Sequence, residues 1–283
     1  MSEQKGYVHP EAVVDANWVE QHLRDPKVRL IEVDVDTKAY EQGHITGAVG
    51  FNWQKELQDQ LVRAPLSKRN LQELLSQAGV SNDTTIVLYG DNNNWFATWA
   101  FWVLKLYGHQ DVRILDGGRV KWLADKREIT TDVPSYPRTN YQAQEPRTDI
   151  RALRDQVLSA LGRNGVALVD VRSPGEFSGE LLAPPNLPQE GAQRGGHIPG
   201  AANIPWASAV REDGTFKSAE ELRSVYGNKG ISSDKDIIAY CRIGERSSHT
   251  WFVLTYLLGY SNVRNYDGSW TEWGSLIGVP IEK

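Results

Sequence analysis

Short apolar runs and amphipathic stretches alternate along this chain, and they do so in the same order twice. Val28 to Asp34, Thr84 to Tyr89 and Val112 to Leu115 are compact apolar runs bounded by polar turn residues, the pattern of a buried strand. Asp15 to Leu23, Ser67 to Ala78 and Trp95 to Leu106 carry helical spacing between them. The second half repeats the order, with strands predicted at Val166 to Arg172, Lys235 to Tyr240 and Val263 to Tyr266. Its predicted helices are Thr148 to Leu161, Ser218 to Tyr226 and Ser247 to Leu258. Apolar runs alternating with helices imply an α/β fold built of βαβ units, each a mostly parallel sheet with helices on both faces.

The repetition extends to individual residues. His44-Ile45-Thr46-Gly47-Ala48 matches His197-Ile198-Pro199-Gly200-Ala201 at an offset of 153, and a further short strand is expected after each turn. Thr85 to Gly90 matches Asp236 to Cys241 at an offset of 151, and the same offset pairs Asp116-Gly117 with Asp267-Gly268 and Trp122 with Trp273. Two homologous domains follow, over residues 1–130 and 148–283. The proline-bearing, aperiodic stretch 131–147 reads as the linker.

One loop breaks the symmetry. Ala239 to Ser248 reads AYCRIGERSS and holds the only cysteine of the chain, Cys241, between the end of a predicted strand and the start of a predicted helix. Its counterpart in the first half is Gly90, followed by Asp91-Asn92-Asn93-Asn94, with neither nucleophile nor cation. The fold is duplicated and the chemistry is not. A second asymmetry is 15 extra residues between Arg172 and His197, falling in Ser178 to Arg194. They follow the C-terminal end of their strand, the ligand-binding edge of open parallel sheets, so a flap near Cys241 is expected.

Composition narrows the chemistry. A single cysteine excludes an internal disulfide and fits a reducing compartment. With no apolar leader at the start and no apolar run of membrane-spanning length, a cytoplasmic protein without membrane partners is expected. The net charge of −5 and scattered Lys and Arg argue against nucleic acid as a partner. The six histidines show no metal-ligand spacing, so neither a metal nor another cofactor is expected.

A thiol at a helix N-terminus, in a turn of successive N–H groups, is poised to ionise. Arg242 and Arg246 add cationic charge suited to a dianionic substrate. Ser247 and Ser248 are suited to cap the helix. Cysteine phosphatases need five residues between Cys and Arg to wrap a phosphate. Here four separate Cys241 from Arg246, a smaller ring that suits a cysteine-bound sulfur better. His197 and His249 are candidates for a Cys–His pair only through lying in the same half.

The tandem units, the GHIPGA turn, the C-terminal YDGSWTEW and the loop CRIGERSSHTWFVL resemble the two-domain rhodanese family, the thiosulfate sulfurtransferases, over residues 10–283. The resemblance implies tandem rhodanese-like domains, the first inactive and the second catalytic. It implies that the Cys241 thiolate takes the outer sulfur of thiosulfate as a persulfide and passes it to cyanide or another thiophilic acceptor, a protein among them. Arg242, Gly244, Arg246 and, on the insertion, Arg194 are the expected substrate-binding residues. Ile243, Glu245, Ser247, Asp170 and Asp267 are expected to support the loop, and Glu245 to pair with an arginine. Two positions depart from vertebrate-type members: Ile243 stands in place of a lysine, and Glu176 in place of an arginine. A 3-mercaptopyruvate sulfurtransferase and a non-enzymatic persulfide carrier or sensor are the alternatives.

Overall fold

The computed structural model describes residues 5–184 and 191–283. It contains two units of the same design, one holding the chain through Arg147 together with Val210–Phe216, the other Thr148–Ala209 and Lys217–Lys283. The first runs β1 (Val13–Val14), α1 (Ala16–His22), β2 (Val28–Glu32), α2 (Ala39–Gln42), β3 (Val49–Gly50), α3 (Trp53–Glu56), α4 (Lys68–Gln77), β4 (Thr85–Tyr89), α5 (Asp91–Leu106), β5 (Val112–Leu115) and α6 (Gly118–Ala124). The second repeats it as β6 (Arg151–Ala152), α7 (Arg154–Ala160), β7 (Val166–Asp170), α8 (Pro174–Ser178), β8 (Ala202–Asn203), a 3-10 turn (Trp206–Ala209), α9 (Ala219–Gly227), β9 (Asp236–Tyr240), α10 (Glu245–Phe252), β10 (Val263–Tyr266) and α11 (Ser269–Trp273).

Each unit has one five-stranded, wholly parallel sheet, in the orders β1-β5-β4-β2-β3 and β6-β10-β9-β7-β8. The central strands are buried on both faces, as their unbroken apolar runs require. The two-residue edge strands β1 and β6 are too short to leave a periodic signal. Most of the helices are short, and packing rather than intrinsic propensity lets helices of this length persist. Asp15, Ser67, Ser173 and Ser218 begin them with side-chain caps.

The stretch 131–147, expected as a linker, groups with the first unit. Its backbone is tied down repeatedly: Thr139 N–H donates to the Ser76 carbonyl, Gln144 N–H to Tyr107 and Arg147 N–H to Leu106. Tyr136 caps the Gly47 carbonyl, and Arg138 grips Glu73. Prolines without periodicity thus describe a strap laid along the unit. The recurring GHIxGA turns are pinned by antiparallel bridges, His44 to Thr130 and His197 to Glu282. Their histidines stack on Tyr40 and Phe177 at 3.8 and 3.6 Å, a structural duty that explains their presence in both halves.

No helix among the described residues is long and apolar enough to cross a membrane. Among the same residues, no group of three or more His, Cys, Asp or Glu is placed to hold a metal ion.

Candidate active site

Cys241 immediately follows β9 and is fully buried. The chain turns at Ile243-Gly244 and enters α10 at Glu245, so the thiol sits at a helix N-terminus. Gly244 is the hinge of this turn. Its φ of 102° lies in the left-handed region, and an added Cβ would come within 2.8 Å of the Asp267 Cα. The Gly244 N–H donates to the Cys241 sulfur at 3.1 Å. Burial pushes the thiol upward, but the Arg246 charge and the N–H groups of Ser247, Gly244 and Ile243 outweigh it and hold Cys241 below its ordinary value. The loop is therefore built to stabilise a thiolate.

The segment after β10 holds the loop from behind. Cys241 N–H donates to the Ser269 hydroxyl at 3.1 Å, and that hydroxyl donates to the Tyr266 carbonyl at 2.7 Å. Trp270 and Thr271 N–H groups donate to the Cys241 and Arg242 carbonyls. Ser269 takes a φ of 51°, unusual for a residue with a side chain. Gly118 occupies the matching place in the first unit with a φ of 53°. Asp267 pairs with Arg151 through two bonds of 2.8 Å, while its backbone closes over Gly244. Ser247 donates to the Gly244 carbonyl and to the Asn265 side chain, and Asn265 donates to that same carbonyl.

The expected capping role of Ser247 and Ser248 is corrected. The helix begins at Glu245, and its cap, Gly244, offers no side chain. Both serines lie within the first turn and bond carbonyls one turn back. The early start follows from the left-handed Gly244, which lets the chain enter the helix immediately after the turn.

The charges are arranged differently from the sequence expectation. Arg246 is gripped by Glu176, on α8, through two hydrogen bonds of 2.9 and 2.8 Å. Both side chains are buried. The Ser173 N–H and hydroxyl fix the same carboxylate at 3.0 and 2.9 Å. Burial alone would raise Glu176, yet Arg246 and Ser173 bring it down to about 2, so it stays ionised. Glu245 is buried beside Arg242 and counters its charge, while burial and the Arg246 charge pull Arg242 below its usual value. The bidentate arginine partner is thus Glu176.

The sequence does not single out Arg172. It is fully buried, with Nη2 donating to Asp170 at 2.6 Å and to the Gly196 carbonyl at 2.7 Å, and its guanidinium lies 4.5 Å from the Trp270 ring. Asp170 thus acts from beneath the loop, by fixing Arg172. Arg194 spends its guanidinium on the carbonyls of Gly274, Trp273 and Leu276, and none of its described bonds reaches the cysteine loop. The middle of the expected flap, residues 185–190, lies outside the described residues. His249 is buried with its ring edge-on to Trp206, and burial drives it down to about 3, which keeps it neutral. His197 is held by Phe177, its ring Nδ1 2.9 Å from that residue's carbonyl oxygen.

The corresponding place in the first unit is acidic. Position 34, the counterpart of Arg172, is an aspartate, and burial beside Glu32 and Asp91 pushes it up to about 9. Glu32, the counterpart of Asp170, is paired with Arg119, which occupies the position of Trp270. The arginine that pairs with the shared buried acid lies just after β7 in the second unit, at Arg172, and on α6 in the first, at Arg119.

Residues 15–125 and 153–276 each match the family model described as a rhodanese-like domain. The sulfur carrier protein TtuD of Thermus thermophilus is 58% identical over 98% of this chain and 99% of its own length. Proteins of Saccharopolyspora erythraea and Haloferax volcanii, both provisionally named thiosulfate sulfurtransferase, are 59% and 57% identical, each match covering 96% of both chains. Among solved structures, the anaerobic ergothioneine biosynthesis enzyme from Chlorobium limicola superposes with a TM-score of 0.85 at 25% identity, over 98% of this chain and 71% of that one.

Proposed function

The chain belongs to the family of rhodanese-like domain proteins, and from that premise we propose that it is a sulfurtransferase whose Cys241 carries sulfur from thiosulfate to a thiophilic acceptor. The observation that carries this reading is the Cys241 sulfur, facing the Gly244 N–H at 3.1 Å and lowered in pKa by Arg246 and the loop amides. The relatives named thiosulfate sulfurtransferase support the donor, and the relative named a sulfur carrier supports a protein among the acceptors.

In the first half-reaction the Cys241 thiolate attacks the outer sulfur of thiosulfate. A new S–S bond forms from the thiolate electron pair. The S–S bond of thiosulfate breaks, and its pair leaves with sulfite. One and two negative charges enter, and a persulfide anion and a sulfite dianion emerge, so no proton or external electron is needed. The N–H groups of Ile243, Gly244 and Ser247 and the charge of Arg246 then stabilise the outer persulfide sulfur. Arg242 lends positive charge on the donor side. In the second half-reaction a nucleophile such as cyanide attacks that outer sulfur and returns the thiolate. Thiocyanate formation from thiosulfate and cyanide by the wild type, abolished in Cys241→Ala, is the expected result. A clear preference for 3-mercaptopyruvate as donor would overturn the choice of thiosulfate.

A further inference from the structure

Each arginine around Cys241 is opposed by a carboxylate. Arg246 is paired with Glu176 and Arg172 with Asp170, both pairs buried and at hydrogen-bond contact. On the loop itself Arg242 is countered by Glu245. Three cations meet three anions before the thiolate is counted. The positive charge that a dianionic donor meets on approaching this thiolate is therefore reduced.

The Glu176–Arg246 pair is the one on which this balance turns. Arg246 acts on the sulfur electrostatically, and its position is set by two parallel bonds to one carboxylate. That carboxylate is in turn fixed by Ser173 through the capping box of α8. The fork to Glu176 thus helps to place the Arg246 guanidinium. The fork engages Nη1 and Nη2 and sets the Glu176 charge directly against the Arg246 charge.

We propose that Glu176 is a positioning and specificity-determining residue, which aims Arg246 at the Cys241 sulfur and offsets its charge toward the incoming donor. The consequence is selective damping of highly charged donors. Thiosulfate carries two negative charges to the thiolate, whereas an aliphatic persulfide carries at most one. With its protonated form, R–S–SH, Cys241 attacks the outer sulfur, the S–S bond breaks with its pair on the departing R–S⁻, and the proton passes to that thiolate, leaving R–SH and the Cys241 persulfide anion. The inference rests on the reading of Cys241 as the persulfide carrier.

The test is kcat/KM for thiosulfate and for an aliphatic hydropersulfide in wild type, Glu176→Gln, Arg246→Gln and the double variant, with folding checked by thermal unfolding. Because donor kcat/KM reports only the first half-reaction, the acceptor does not enter. Glu176→Gln frees the cation and is expected to raise the thiosulfate value roughly tenfold while moving the hydropersulfide value less than about threefold. Arg246→Gln alone leaves a bare carboxylate and is expected to lower the thiosulfate value by about a hundredfold or more. The double variant removes both charges together and is expected to return to within about tenfold of wild type. It keeps the test available if Glu176→Gln does not fold, because it buries no unpaired charge. A double variant as poor as Arg246→Gln means that Arg246 grips the donor directly and overturns the proposal, as does an equal change for both donors in Glu176→Gln. Those results would leave the proposed function standing. Failure of both donors to load Cys241 in the wild type would remove the function and this role together.

Discussion

A side chain at Gly90 would place its Cβ 2.0 Å from the carbonyl oxygen of Val33. Gly90 is the first-unit counterpart of Cys241, and its φ of −173° is ordinary extended backbone. The exclusion is therefore one of space. Val33 N–H bonds the Tyr89 carbonyl, which anchors Val33 beside Gly90. The first unit lacks more than a thiol, because it has no room for one. Gly90→Cys is expected to destabilise the protein by about 1–3 kcal/mol, as overpacking does, and to create no second sulfur-accepting site. Chemical denaturation and a count of sulfur atoms gained on exposure to thiosulfate check both statements.

The Asp170–Arg172 pair makes a different prediction. Both residues are fully buried, and Arg172 Nη1 has no hydrogen-bond partner among the described residues. Arg172→Met strands the Asp170 carboxylate and is expected to cost about 3–5 kcal/mol. The double variant Asp170→Asn, Arg172→Met removes both charges and is expected to recover most of that loss. Denaturant midpoints of the three proteins decide it. Equal loss in the single and double variants would mean that the arginine contributes by packing on Trp270 rather than by charge.

The thiol predicts a pH signature. A thiol whose folded pKa lies below its unfolded value of about 8.5 contributes stability that is fully present above that value. This contribution is lost as pH falls through the lowered folded pKa of Cys241. The stability of wild type over Cys241→Ser should therefore shrink as the solution is acidified through that window. The thiolate absorbance of the wild type should titrate below about 8.5, and the first half-reaction should follow the same curve. A midpoint at or above the free-thiol value would mean that burial outweighs the cation and the amides.

Much of this arrangement was legible in the sequence, for reasons that differ by element. The central strands β2, β4, β7 and β9 announce themselves because burial on both faces demands unbroken apolar runs. The Gly90/Cys241 contrast isolates the site because the copies align residue by residue. The two-residue strands β1 and β6 are too short for any periodic signal. Residues Asn92, Asn93 and Asn94 all adopt positive φ, a kink at the start of α5 that composition alone does not announce. The ion pairs were the real blind spot. Glu176 and Arg246 lie 70 positions apart and meet only because α8 and α10 converge at the ends of adjacent strands. The best clue to Arg172 lay in the duplicate, where a buried acid at position 32 finds its arginine at 119.

The central claim is that Cys241 carries sulfur as a persulfide, and intact-mass measurement after incubation with thiosulfate tests it most directly. The wild type should gain the mass of one sulfur atom, lose it again on addition of cyanide, and Cys241→Ser should gain none. An unchanged wild-type mass, or an equal gain in Cys241→Ser, would contradict it.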